Sequence, residues 1–361
     1  MSRISRNVPL AISIALLLVA AACGGAPPTP LSTAPAATAA RTAAPAAFTP
    51  DPVDLAAAKQ EGTVSWYTST PVATAQKIAK LFEEETGIKV QLFRSGGEAV
   101  LQRFLQEVNA GRVLADVLTI SDPPAFNALM QKDQLVPFRP KNWDKVPAEV
   151  KDPQGRWIAQ RLNLAAIIAR TDKGLDLPKN WTDLTDPKYK GKMVMPDPSF
   201  TAIQLMVVAT LSQKYGWRFY EGLKANGVMI VQGHQQVSDT LTKGERVLAA
   251  EGGDSYAWVD KKAGHKIETI FPSDGAFAIP APTAVIRGSS HPNAAKALAE
   301  YMIGDKVQGL FQEEGIYGAR SDVNPPAGNP PLSAIKLLSV DYEYVERETK
   351  NIKNRFNEIF Q

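Results

Sequence analysis

The stretch GTVSWYTSTPVATAQKIAKLFEEETGIKVQLF, residues 62–93, changes its apolar period twice. TVSWY (63–67) is alternating and partly β-branched, which predicts a strand. Pro71 stands where the first turn of a helix tolerates it. Ala75, Ile78, Ala79 and Phe82 then recur at helical spacing, and Gly87 supplies a C-terminal stop. IKVQLF (88–93) returns to a strand. The unit repeats downstream. Leu101, Phe104, Leu105 and Val108 mark a second helix closed by Gly111, ADVLTI (115–120) a third strand, and Asp122 opens a further helix. Alternating strands and helices predict a parallel sheet covered by helices, with ligands gathering at the carboxyl ends of the strands.

After a loop rich in Pro, Lys and Asp (132–156) the pattern restarts. LAAIIAR (164–170), KMVMP (192–196), a long apolar helix from Thr201 to Tyr215, VMIV (228–231), VLAAE (247–251) and KIETIF (266–271) form a second α/β unit. FAIPAPTAVIR (277–287) reads as extended chain returning to the first unit, followed by helices over 292–302 and 306–314. Ile335, Leu338, Tyr342, Val345, Ile352, Phe356 and Ile359 predict a helical C-terminal segment packed against one lobe. No internal repeat of fixed period is visible.

The 361-residue chain, less its first 53 positions, exceeds one small core and suits two lobes. Its 40 basic side chains nearly balance 37 acidic ones, and Arg3 and Arg6 lie outside the body, so no basic surplus points to nucleic acid. The single cysteine, Cys23, excludes an internal disulfide, a thiolate cluster and a CxxC pair. It closes an apolar run from Val8 to Ala22 that follows Arg3 and Arg6. That run, about 15 residues, is short for a membrane span but suits a secretory signal. Three alanines before Cys23 resemble the lipobox of bacterial lipoproteins, in which the cysteine is acylated. Ala, Pro and Thr dominate residues 24–52, which read as an extended stalk. The expected order is a signal peptide over 1–22, then a lipidated Cys23 with its linker over 23–53.

GTVSWYTST (62–70), FEEETGIKVQLFRSGG (82–97), LADVLTISDP (114–123), WTDLTDPKYKGKMVMPDPSFTA (181–202) and SSHPNAAKALAEYMIGDKVQ (289–308) together resemble the extracellular solute-binding proteins of ABC importers, most closely the ferric-ion-binding branch. The resemblance implies a two-lobed, type II periplasmic-binding-protein fold with a mixed sheet in each lobe and a hinge between them. Lobe 1 would comprise 54–158 with 279–325, and lobe 2 159–278 with 326–361. It also implies a monomer that hands its solute to a membrane permease outside the cytoplasm and needs no resident cofactor.

Candidate ligand residues lie in loops after strands. Tyr67, Thr68, Ser69 and Thr70 offer hydroxyls and unpaired N–H groups to an oxyanion, and serve equally as an ordinary N-cap. Ser95, Gly96 and Gly97 repeat the arrangement with glycines, and Ser121 and Asp122 close the third strand. Asp197, Ser199 and Thr201 lead into the long apolar helix, whose N-terminus takes an anion by family likeness. His234 and Gln235 occupy another such loop, where a lone histidine is more often structural than a ligand. Arg161 and Asn163 fall near the expected hinge; Arg161 would reach an oxyanion or pair with an acidic neighbour. The ferric branch carries two adjacent tyrosines where this chain has Tyr256 and Ala257. It also has a histidine where Pro71 stands and a glutamate where Ser121 stands. Ferric iron would therefore need another set, such as Tyr67, Tyr256 and Asp254 with a synergistic anion. A small anion (phosphonate, phosphorylated metabolite or carboxylate) suits the hydroxyls, glycines and helix starts better. Two other classes stay open. An enzyme on the same architecture would draw on Glu245, Glu251 and Asp254, without any GxSxG, HExxH or phosphate-loop motif. A carbohydrate or polyamine binder would use Trp66, Trp217 and Trp258 as platforms.

Overall fold

The computed structural model describes residues 48–361, so the signal peptide, Cys23 and most of the stalk lie outside the described residues. The first lobe begins with α1 (Leu55–Glu61), β1 (Thr63–Thr68), α2 (Val72–Thr86), β2 (Lys89–Arg94), α3 (Gly97–Asn109), β3 (Val117–Thr119), α4 (Pro123–Gln131) and the short β4 (Leu135–Val136). The chain then crosses along β5 (Ile158–Arg170). The second lobe follows with β6 (Met193–Pro196), α5 (Ala202–Tyr215), α6 (Arg218–Ala225), β7 (Met229–Val231), α7 (His234–Lys243), β8 (Leu248–Gly253), α8 (Asp254–Lys262) and β9 (Ile267–Ile270). It returns through β10 (Phe277–Ile286) to α9 (Pro292–Ile303), α10 (Asp305–Glu313) and β11 (Tyr317–Gly318). The last element is α11 (Tyr342–Phe360).

Local rules explain the boundaries. Gly87 ends α2 in the left-handed region at φ 77°, which a residue without Cβ adopts freely. Asp122 caps α4, accepting from the Ala125 amide at 3.2 Å, with Pro123 at the first helical position. The C-terminal segment departs from the expectation. Its helix starts only at Tyr342, capped by Asp341, while Ala276 and Leu337 form an isolated bridge beside the sheet. Ile335 is thus buried, and Leu338 half-buried, by extended chain, which helical spacing does not describe.

The mixed sheet expected in each lobe is present, and the two are continuous. Among the described residues one sheet runs β2-β1-β3-β10-β5-β8-β6-β7, with β4 on β10 and both β9 and β11 on β5. The β2-β1-β3 and β8-β6-β7 groups are parallel, as the strand–helix alternation requires, whereas β10 and β5 are antiparallel to their neighbours. The crossing strands therefore carry hydrogen bonding from lobe to lobe. Each has an irregularity, between Pro280 and Pro282 in β10 and between Ala166 and Ile168 in β5. Proline donates no backbone hydrogen bond, so the ladder is thinnest where the lobes join.

Each lobe has its own packing. In the first, Ile78, Phe82, Val117, Leu298 and Met302 fill one face of the sheet and Phe104, Leu118, Phe126 and Leu129 the other. In the second, Trp181, Met206, Tyr220, Phe277 and Phe356 share a cluster with α5 and α11. Alternation along β3 explains the first division, because Val117 and Leu118 point to opposite faces. Phe82→Ala should destabilise the protein by about 3–5 kcal/mol in urea unfolding, since its ring is buried between α2 and α9. A loss near zero would mean that the first lobe closes around the cavity.

Candidate functional site

The loops at the carboxyl ends of the strands converge on a cavity of about 230 Å³ between the lobes. Besides α2, whose N-cap is Pro71, four helices start there. Gly96 and Gly97 open α3, Thr201 and Ala202 open α5, Gly233 and His234 open α7, and Gly253 and Asp254 open α8. None of these four N-caps makes a side-chain cap bond, a trait shared with α2, α6, α9 and α10, while α1, α4 and α11 are capped by aspartates. Uncapped first-turn amides aimed at one cavity give it a positive potential without any side-chain charge.

Two guanidiniums add to it. Arg161 on β5 is buried at 1% exposure. Its only hydrogen bond runs from Nη1 to Thr70 Oγ1 at 2.9 Å, and its Nε has no partner among the described residues. Burial pulls this guanidinium down to about 10, with nearby Arg94 adding to the shift and Tyr256 opposing it; it remains charged at neutral pH. Arg94 closes β2 and donates from Nε to the Thr70 carbonyl at 2.9 Å. Among the described residues neither arginine forms an ion pair. Ser69, Ser121, Asn163 and Tyr256 complete the polar lining near them. Asn163 donates to Ser121 Oγ at 2.9 Å. The Tyr256 phenol is raised by burial, against the pull of Arg94 and Arg161.

The second lobe contributes buried carboxylates. His234 Nε2 lies 2.8 Å and 3.1 Å from the two oxygens of Glu251, which is 1% exposed, and its ring stacks on Tyr256. Asp254 is pushed up to about 6 by burial, against hydrogen bonds from Thr269 at 2.6 Å and Asn329 at 2.7 Å. Phe200 lies across the cleft. A Cβ at Gly96 would stand 2.5 Å from its ring, so this glycine serves close approach between the lobes, and one at Gly233, within the second lobe, would stand 3.2 Å from it.

Of the residues singled out in the sequence, Ser69, Gly96, Gly97, Ser121, Arg161, Asn163, Thr201, His234, Gln235, Asp254 and Tyr256 line the cavity. Thr70 stands behind it as the support of Arg161. The others are turned elsewhere. Tyr67 donates to Glu107 Oε1 at 2.7 Å, its hydroxyl raised to about 12 by burial and that carboxylate, so the oxygen set Tyr67, Tyr256 and Asp254 is not assembled. Thr68 donates to Thr70, Asp122 caps α4 and Asp197 accepts from the Ser199 amide. Ser95 also falls outside the lining. Trp66, Trp217 and Trp258 do not line the cavity; Trp66 is core and donates to Thr119. Arg94 and Tyr317 were not foreseen, and Phe200, Gln232 and Gln236 join the lining from the candidate loops before α5 and α7. The position of Arg94 at a strand end, one residue before the predicted Ser95-Gly96-Gly97 loop, was the available signal for it.

Residues 113–348 match the model of a family described as bacterial extracellular solute-binding protein. A putative 2-aminoethylphosphonate-binding periplasmic protein of Salmonella typhimurium is 24% identical over 277 residues, 73% of this chain and 77% of the relative. Among solved structures, the periplasmic binding protein AfuA from Actinobacillus pleuropneumoniae, with exogenous fructose-6-phosphate bound, has a TM-score of 0.75 at 20% identity, covering 83% of this chain and 98% of that one. Iron-bound HitA from Pseudomonas aeruginosa has a TM-score of 0.71 at 20% identity, covering 81% and 99%. These likenesses establish the two-lobed fold.

A raised Asp254 fixes the sign of one pH effect. Between the ordinary carboxylate range near 4 and about 6, the folded chain holds a proton that the unfolded chain has released. Its contribution is therefore fully present at low pH and lost as pH rises through about 6. Asp254→Asn should raise the melting temperature relative to the parent at pH 8 and leave it nearly level at pH 4. A gap independent of pH in calorimetry would reject this assignment.

Proposed function

The chain belongs to the bacterial extracellular solute-binding protein family, and from that premise we propose that it captures a small oxyanion, a phosphonate or phosphate ester, for an ABC importer. The observation that carries the ligand class is Arg161. Burying a guanidinium without a carboxylate costs roughly several kcal/mol, and an arriving oxyanion offsets that cost by supplying the missing charge and accepting from the idle Nε. Four uncapped helix N-termini and Arg94 favour the same charge. The phosphonate named for the Salmonella relative and the sugar phosphate bound to AfuA agree with this chemistry.

Ferric iron with a synergistic anion is the second reading, favoured by the likeness to HitA. It is weaker on chemistry. A hard trivalent cation wants several deprotonated oxygen donors, and here Tyr256 stands beside two guanidiniums that repel a cation, with its hydroxyl raised by burial. Tyr317, the other phenol in the lining, spends its hydroxyl on the Pro330 carbonyl at 2.7 Å. Among the described residues no group of three or more His, Cys, Asp or Glu is placed to hold a metal.

Cys23 behind its apolar run supports an acylated anchor, with the Pro-rich linker as tether and a permease as partner. The protein would act as a monomer outside the cytoplasm and without altering its solute. Mass spectrometry of Cys23 in the membrane fraction tests the anchor; an unmodified thiol would remove it.

Arg161→Met tests the ligand class, because removing an unpaired buried charge and removing a binding group predict different things. Stability should hold or rise. Affinity for inorganic phosphate or an alkylphosphonate in calorimetry should fall about 10- to 100-fold. Unchanged anion affinity, or stoichiometric iron without anion in the native protein, would overturn the reading.

A further inference from the structure

We infer that Lys353 sets solute affinity from outside the cavity, by pinning α11 of the second lobe to α3 of the first when the cleft is shut. The helix is committed to the second lobe on one side. Val345, Ile352 and Phe356, at helical spacing, are each about 1–2% exposed in the cluster that holds Trp181 and Tyr220. Its other side meets the first lobe, where it packs along α4. From there Lys353 Nζ reaches Glu98 Oε2 at 3.1 Å, with the two side chains only 17% and 24% exposed.

The position of Glu98 gives the contact its leverage. It lies in the first turn of α3, one residue beyond Gly97 in the cavity lining, so the ion pair and the solute bridge the same two lobes. Lys353 also faces Asp122, the buried cap of α4, while Glu346 of α11 adds a further negative charge nearby. Without Lys353 the charges of Glu98 and Glu346 near Asp122 lose the cation that offsets them there. Shielding from water makes such a pair less subject to salt than an exposed one. Because α11 moves with one lobe and α3 with the other, bending at β5 and β10 separates the charges. A contact present only in the shut form weights that form whatever the solute. The inference goes beyond the oxyanion assignment and needs only that the lobes part.

The test uses the full chain carrying Cys23→Ser, with nitroxides introduced through Lys80→Cys and Lys190→Cys, exposed positions on opposite lobes. Electron–electron double resonance without added solute reads the interlobe distance. Lys353→Gln should lengthen the distribution. It should also weaken inorganic phosphate binding about three- to tenfold, mainly through faster release. The paired exchange Glu98→Lys with Lys353→Glu should restore both quantities, which a merely structural defect would not allow. A Lys353→Gln distribution that overlays the parent, or an exchanged pair as open as the single variant, overturns the inference. If phosphate fails to bind the parent, the oxyanion reading falls while the distance measurement still judges the pin.

Discussion

A positive charge held away from water without a negative partner is the constraint on which the rest of the molecule turns. Arg161 occupies the strand through which the chain first crosses between lobes, so it cannot swing out to solvent as a surface arginine does. Its one hydrogen bond goes to a neutral hydroxyl, Thr70, which stands at the end of the first strand–loop unit. The energetic debt of this arrangement is local, whereas the structure that sustains it is spread over two hydrophobic clusters and a continuous sheet. A folded chain tolerates such a site when a ligand completes it.

The helices around the cavity follow the same logic at lower intensity. Each of the four begins in a loop after a strand, on a glycine or on Thr201, with no side-chain cap, whereas α1, α4 and α11, which start away from the cavity, each spend an aspartate on that task. Buried acids set a boundary to the positive region. Glu251 is answered by His234, and Asp254 by Thr269 and Asn329, so neither is left to cancel the arginines.

The strands and helices were legible because each is set by periods a few residues long, and TVSWY, the α2 pattern and Gly87 behave as their chemistry dictates. The loop glycines and Ser121 could be read for a related reason, since strand-to-helix turns in a parallel sheet face one edge. What the sequence withheld was direction. Tyr67 and Arg94 end neighbouring strands, yet the tyrosine turns toward α3 and Glu107 and the arginine toward the cleft. Phe200 looked like one more apolar residue before a helix. Its position against Gly96 depends on how two lobes meet, which no local window contains. The continuity of the sheet and the extended path before α11 were hidden likewise, being settled by partners far away in the chain.

Pro280 and Pro282 have a mechanical meaning beyond their place in the fold. A return strand lacking two amide hydrogens, with its register slipped between them, has few bonds to rupture when it flexes. Bending at that point gives up fewer ladder bonds than it would in a regular strand. The return strand is thus softest where its own amides are missing.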